Sequence, residues 1–395
     1  MKVLVVGSGG REHALAWALS RSPSLTELHA APGNPGIAAL ASCHPVRADD
    51  PAALVSLALE LRVDLVVVGP EAPLVAGVAD ELRRRGVLVF GPSAEAARIE
   101  GSKAFAKDVM DAAGVPTAAT LAVARPPCVV KADGLAAGKG VWVCRTQEEL
   151  DAGLRAAEAF GQPFHVEELL EGPELSVFAV AAGEDAVALP PARDYKRIGD
   201  GDTGPNTGGM GAVSPLPDLR DDEADEIVET IHRPVLRELA RRGCPFQGLL
   251  YGGLMRTADG LRVIEFNCRF GDPETQSLLP RLDGDLLPLL AGDLSAAPAI
   301  STRAAVTIVI AGGDYPERGD SGTAIDGVEA AEATGALVFH AGTALRDGAL
   351  VTNGGRILNV VGVGDTTDAA RTAAYEAAAC IDFAGMRYRR DIADG

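Results

Sequence analysis

A chain of 395 residues with 47% hydrophobic and 23% charged side chains has a globular composition and room for about two to four domains, which sets aside disordered and fibrous classes. Its formal net charge of −19 repels a nucleic-acid backbone, and no apolar run approaches the ~20 residues that cross a bilayer, so neither nucleic acid nor membrane is an expected partner. The N-terminus lacks a signal-peptide pattern, and the six cysteines and six histidines are scattered without zinc or redox spacing, so a cytoplasmic location is expected; small-molecule partners and a monomer or weak dimer are accompanying expectations.

The first hundred residues alternate apolar runs with helical stretches. Val3–Val6, Glu27–Ala31, Val63–Val68 and Val87–Phe90 are strand candidates, each ending in glycine or proline, with helices such as Pro51–Leu61 and Ala72–Arg85 between them. This is the rhythm of a doubly wound parallel sheet, which binds ligands at the carboxyl ends of its strands. The first turn, Gly7-Ser8-Gly9-Gly10-Arg11-Glu12, resembles a dinucleotide fingerprint but has Glu12 where the third glycine belongs. The second strand also ends without an acid for a ribose hydroxyl. Free amides at a helix N-terminus, with Arg11 beside them, suit a single phosphate better.

Residues 94–113 read as one helix carrying Lys103 and Lys107. Only six of the 36 basic residues are lysines, and five of those six fall between 103 and 196, which points to a local phosphate site. Cys128–Lys131 and Val141–Arg145 read as strands joined by Gly134-Leu-Ala-Ala-Gly138-Lys139-Gly140, a small-residue hairpin able to close over phosphates as a lid. The spacing of its glycines and the absence of a Ser/Thr after Lys139 rule out a Walker loop. Thr146 to Glu149 is a capping box that opens a helix. The acidic turn Glu167-Glu168-Leu169-Leu170-Glu171-Gly172-Pro173-Glu174 follows the strand Phe164–Glu167.

A strand at Leu175–Ala181, a glycine-dense loop at 199–211 and a helix from about Asp221 to Arg242 come next, then strands at Gly248–Met255 and Leu261–Asn267. In the last, Glu265 and Asn267 project to one face of the strand. One carboxylate and one amide oxygen suit magnesium, which keeps waters and takes other ligands from phosphate; Arg269 adds a planar fork for an anion. The last ninety residues carry strands at Ala304–Ala311, Ala336–His340 and Arg356–Val363 and a helix at about Thr366–Ile381. The expected architecture is α/β in three modules. They are an N-terminal Rossmann-like sheet (1–100), a central region (101–300) with a lid subdomain at about 117–185, and a small β-rich C-terminal region (301–395).

In this order the strings Gly7–His13, Ala31–Asn34, Gly69–Leu74, Gly101–Phe105, Lys131–Gly140, Gly199–Gly211, Glu265–Glu274 and Val351–Arg356 resemble the phosphoribosylamine–glycine ligases of the ATP-grasp superfamily over nearly the whole chain. The resemblance implies a central ATP-grasp fold and a reaction in which ATP, glycine and 5-phosphoribosylamine give glycinamide ribonucleotide, ADP and phosphate through a glycyl phosphate. It implies that Lys103, Lys131 and the lid with Gly134, Gly138 and Lys139 hold the ATP phosphates. Glu167, Glu168 and Leu170 would meet adenine and Glu174 the ribose. Glu265 and Asn267 would hold magnesium or manganese. Lys196, Arg197 and Arg269 would manage the transferring phosphate and the glycine carboxylate. Asp194 and Asp272 would meet substrate, and Gly9, Gly10, Arg11 and Asn34 the sugar phosphate. Where such enzymes often read Gln-Asp-His-Lys-Arg, this chain has Arg193-Asp-Tyr195-Lys-Arg197, so no histidine is assigned to catalysis. An aminoimidazole ribonucleotide carboxylase, an NAD-linked oxidoreductase using the first hundred residues and an inactive nucleotide-binding regulator are the competing readings.

Overall fold

The computed structural model describes residues 1–135 and 140–394, with only the backbone of Asp221. Five parallel strands open the chain, in the order Ser42–Cys43, Glu27–Pro32, Lys2–Gly7, Leu65–Val68 and Leu88–Phe90. Val3 to Val6 are fully buried because helices cover both faces of the sheet, which explains a continuous apolar run in place of alternation. Strand order reverses on either side of Lys2–Gly7. The turns after this strand and after Leu65–Val68 therefore flank the crevice where a doubly wound sheet takes its ligand.

Two expected helices are each broken in two. Gly77 adopts φ +86° and divides Glu71–Val75 from Val78–Arg84. Ser102 is extended and divides Ala94–Gly101 from Lys103–Ala113, capping the second helix by accepting a hydrogen bond from the Phe105 N–H. The break places Lys103 at a helix N-terminus instead of mid-helix. The Asp133 carboxylate accepts from the Lys103 N–H at 2.5 Å and from the Ser102 hydroxyl at 3.2 Å, tying this corner to the base of the glycine hairpin.

Cys128–Ala132 lies between Val141–Cys144 and Phe164–Glu168 in a three-stranded antiparallel sheet backed by the helix Gln147–Phe160. Its small core, including Cys128, Val130, Cys144 and Leu150, is separate from the main ones. The large sheet runs, edge to edge, through Gly260–Asn267, Gln247–Thr257, Glu174–Ala182, Asp185–Asp194, Gly211–Ser214, Ala304–Ala311, Arg356–Gly364 and Leu337–His340. Central and C-terminal strands join through the pairing of Gly211–Ser214 with Ala304–Ala311, so the sheet continues unbroken past residue 300. The loop at 199–211 holds a hairpin of Arg197–Gly199 with Thr203–Asn206. The helical run from Asp221 to Arg241 includes one wider turn at Val228–His232, next to Pro234, which has no N–H to donate. The C-terminal region adds a three-stranded antiparallel sheet in the order Asp320–Ala324, Ala349–Gly354 and Thr343–Arg346, and the helix Thr367–Ala378. Among the described residues no helix is long and apolar enough to cross a membrane.

Candidate active site

A cleft of about 870 Å³ opens where the N-terminal turns, the lid sheet, the edge of the large sheet and the C-terminal region meet. On the lid side, Lys131 is buried and donates to the Ile264 carbonyl at 3.1 Å. Its ammonium also pairs with Glu167 at 2.7 Å, and Lys107 pairs with the other oxygen of Glu167 at 3.0 Å. Burial works to raise the pKa of Glu167, but the His165 hydrogen bond and the Lys131 and Lys107 charges outweigh it and hold the carboxyl at about 2. With both oxygens engaged, Glu167 orients the lysines. The Glu168 carboxylate accepts from the Ala119 N–H at 2.8 Å. Leu169 and Leu170 line the cleft on a segment outside any strand or helix, and their amides and carbonyls have no backbone partner among the described residues. Lys103 reaches the Gly134 carbonyl at 3.1 Å. Gly138 and Lys139 lie outside the described residues.

The edge strand Gly260–Asn267 carries the next group. Glu265 is exposed in the cleft, and its carboxylate forms no hydrogen bond or ion pair among the described residues. Asn267, on the same face, is buried, and its Oδ1 accepts from Arg269 at 3.3 Å, leaving one lone pair. An unpaired carboxylate beside an amide oxygen fits a hard divalent cation that draws its other ligands from phosphate and water. Among the described residues no three His, Cys, Asp or Glu side chains gather as an all-protein metal site. Arg269 donates to Glu71, Glu100, Asn267 and the Phe270 carbonyl at 3.0–3.3 Å, so only one of its five N–H groups is left for a ligand. Its expected grip on an anion is therefore narrower than a two-pronged fork.

At the far end of the same segment, Arg11 donates to the Phe270 carbonyl at 3.0 Å and to Glu12 at 2.5 Å, and its other N–H groups remain at the cleft. Glu12 turns back beneath the loop to accept from the Gly9 N–H at 2.6 Å, filling space where a Cβ on Gly7 or Gly69 would collide with its carboxylate. An acid replaces the fingerprint glycine because it builds the loop from within, and it removes the Gly9 amide from the set of phosphate donors. Gly10 is buried against the Asn359 and Gln276 amides. Asp272 pairs with Arg356 at 3.3 Å. Burial raises the Asp272 pKa, but Arg356 and Arg11 outweigh it and keep the carboxyl below its ordinary value.

Lys196 faces the cleft and pairs with Glu174, with Asp194 at 3.6 Å. Burial pushes Asp194 up to about 7 against the opposing Lys196 charge, helped by Glu274 and Glu174. Two expected site residues are not among those lining the cleft. Arg197 points into its own hairpin and donates to the Gly204 carbonyl at 2.8 Å. Asn34 has both amide hydrogens engaged, on the Ser8 and His340 carbonyls at 2.8 Å, while its oxygen caps the Ile37 N–H. It is a clamp between the first and last modules, with no donor left for phosphate. Residues missing from the sequence-based site include Lys107, Glu71, Glu100, Tyr251, Glu274, Tyr315 and Arg356. Glu71, Glu274 and Arg356 stand inside the diagnostic strings, and that position was the available signal.

Family models for phosphoribosylglycinamide synthetase match three stretches of the chain: the N domain over residues 1–100, the ATP-grasp (A) domain over 101–275 and the C domain over 305–395. The phosphoribosylamine–glycine ligase of Streptomyces coelicolor is 52% identical over 414 aligned positions, covering 100% of this chain and 99% of that protein. The chain belongs to the phosphoribosylamine–glycine ligase family. The crystal structure of the family member from Thermotoga maritima has a TM-score of 0.85 at 35% identity, covering 99% of this chain and 100% of that one. An N5-carboxyaminoimidazole ribonucleotide synthetase crystallised with ADP, at 16% identity and a TM-score of 0.66 over 95% and 96% of the two chains, shares the fold alone. Tyr195 does not line the cleft. Along this extended stretch Asp194 and Lys196 face inward, while the Tyr195 hydroxyl accepts from the Ala393 N–H at 3.0 Å on the opposite side.

Proposed function

We propose that this chain uses ATP to join glycine to 5-phosphoribosylamine, giving glycinamide ribonucleotide, ADP and phosphate in purine biosynthesis. The observation that carries this reading is the order of groups along residues 264–270. The Ile264 carbonyl holds Lys131, the Phe270 carbonyl holds Arg11, and Glu265 and Asn267 lie between them in sequence. One short segment thus links two separate cationic stations through a pair of hard oxygen donors, as expected where a nucleotide and a second phosphorylated substrate react side by side.

Lys103, Lys107 and Lys131 supply fixed charge for the ATP phosphates, and the free backbone groups of Leu169 and Leu170 offer a donor and an acceptor for adenine. Glu174 is placed for the ribose. Glu265 and Asn267 would hold magnesium or manganese, which when bound neutralises phosphate oxygens. A glycine carboxylate oxygen attacks the γ-phosphorus and ADP leaves, with Lys196 and the remaining N–H of Arg269 stabilising the charge. The ribosyl amine then attacks the acyl carbon, and phosphate departs with that carboxylate oxygen. Arg11 anchors the sugar phosphate, while Asp194 and Asp272 meet the substrates. Glycine labelled with oxygen-18 in its carboxylate tests this route. One labelled oxygen is expected in the released phosphate, and unlabelled phosphate would exclude a glycyl phosphate.

A further inference from the structure

The segment 389–393 lies outside the cleft, yet its polar groups converge on the loop that forms one wall. Arg389 is 2% exposed at its side chain and grips Asp391 with two parallel bonds of 2.8 and 2.7 Å. The same guanidinium donates to the Arg197 carbonyl at 3.1 Å and to Asp202 at 3.3 Å. Asp391 in turn accepts from the Gly201 N–H at 2.8 Å, and the Arg390 N–H donates to Asp200 at 2.7 Å. The Arg389 guanidinium also lies 5.2 Å from the centre of the Tyr195 ring, whose hydroxyl takes the Ala393 N–H. The segment is itself fixed to the helix Thr367–Ala378, because Tyr375 donates to the Arg389 carbonyl at 2.9 Å and accepts from the Ile392 N–H at 3.0 Å.

The clamped hairpin leads directly to the cleft. Asn206, Thr207 and Gly208 line it, and Thr207 donates both its N–H and its hydroxyl to the Lys196 carbonyl at 2.8 Å. Tyr195 and Lys196 are neighbours facing opposite ways, one onto the strap and one onto Glu174. We propose that Arg389 and Asp391 are positioning residues for catalysis, forming a strap that sets the 197–208 hairpin and, through Tyr195 and Thr207, the placement of Lys196. A buried guanidinium with carboxylate and carbonyl acceptors on both segments resists small displacements, because breaking one bond leaves a buried donor unsatisfied. The turn it holds has both Gly201 and Asp202 at positive φ, a conformation that a non-glycine residue adopts only when its surroundings favour it.

The inference rests on the ligase reading, and the test keeps the two apart. In the full chain, Arg389→Ala and the milder Tyr195→Phe are compared with wild type for ATP affinity, for the KM of glycine and of phosphoribosylamine, and for amide exchange over residues 199–208. The strap predicts that Arg389→Ala raises at least one of these KM values about tenfold, with ATP affinity within about twofold of wild type and faster exchange at Gly201. Tyr195→Phe should move the same KM in the same direction by a smaller factor, and it decides the matter if Arg389→Ala does not fold. A purely structural role would lower thermal stability while leaving both KM values of the folded enzyme unchanged, and that result overturns the proposal. A parallel loss of ATP affinity also overturns it. If wild type turns over neither substrate, the ligase reading fails. The strap is then judged by exchange alone, and unchanged exchange at Gly201 would refute it.

Discussion

Glu265 carries a free carboxylate into the cleft, whereas nearly every other charged group there is already paired. Glu265→Ala should therefore abolish turnover at any attainable magnesium concentration while leaving the denaturation midpoint near wild type, because an unpartnered exposed side chain contributes little packing. Near-normal turnover would remove Glu265 from the metal site. Arg11 and Lys131 provide a second contrast. Arg11→Ala should raise the KM for phosphoribosylamine roughly ten- to a hundredfold, the equivalent of about 1.5–3 kcal/mol, and leave ATP affinity nearly intact. Lys131→Ala should weaken ATP and slow transfer instead. Equal loss of ATP affinity in both would join the N-terminal loop to the nucleotide site. At this scale the sequence identified groups by chemical type and motif, and a strand's alternation gave the shared direction of Glu265 and Asn267 toward the cleft. It did not show that both side-chain donors of Asn34 reach the Ser8 and His340 carbonyls, or that Arg197 reaches the Gly204 carbonyl, because nothing local reveals either contact. It also could not tell that Glu167 lies between two lysines, since that pairing requires the helix at Lys103–Ala113 to pack beside the lid strand.

Four of the five strands of the N-terminal sheet were readable because each apolar run ends in a glycine or proline; the two-residue edge strand Ser42–Cys43 has no such run. The breaks at Gly77 and Ser102 were not, since Ser102 lies between two stretches that each favour helix and is extended only because Asp133 and the capped Phe105 amide reward it. Ser102→Ala tests what that break is for. Losing the cap costs about 1 kcal/mol of stability, and because the corner sets Lys103, the KM for ATP should rise several-fold with little change for glycine. An unchanged KM for ATP would make the break a matter of folding alone. Strands at Asp185–Asp194 and Gly211–Ser214 escaped the pattern for a different reason. The first carries Pro190 and Pro191, and the second is only four residues inside a glycine-rich stretch, so tertiary pairing decides both.

Pairings cross the expected boundary at residue 300 and join the first and last modules. The large sheet passes from central to C-terminal strands, and the His340 N–H donates to His13 Nδ1 at 2.8 Å across the first and last modules. Burial, with a smaller contribution from the His340 charge, lowers the pKa of His13 to about 3; burial alone lowers His340 to about 4, and it lowers His232, in the wider helical turn, to about 4. All three are neutral in the fold, and each protonates near 6.5 once unfolded, so the unfolded chain binds more protons as pH falls below 6.5. Stability from these groups is complete above about pH 6.5 and declines toward pH 4, by at most about 1.4 kcal/mol per pH unit for each. Asp194, raised to about 7, and Glu100, raised by burial, work in the opposite sense. The denaturation midpoint should fall between pH 7 and pH 5, and His340→Gln should flatten that slope; a midpoint that rises over this range would contradict the assignment.

Convergence of all three modules on one cleft has a direct chemical consequence, because ATP cleavage is useful here only if both other substrates are in place. ADP release measured with ATP and magnesium, omitting glycine and phosphoribosylamine in turn, tests this most directly. The account predicts sustained ADP release only when both are present, in a one-to-one ratio with glycinamide ribonucleotide. Sustained release without glycine, or release with both substrates but no amide product, would contradict it.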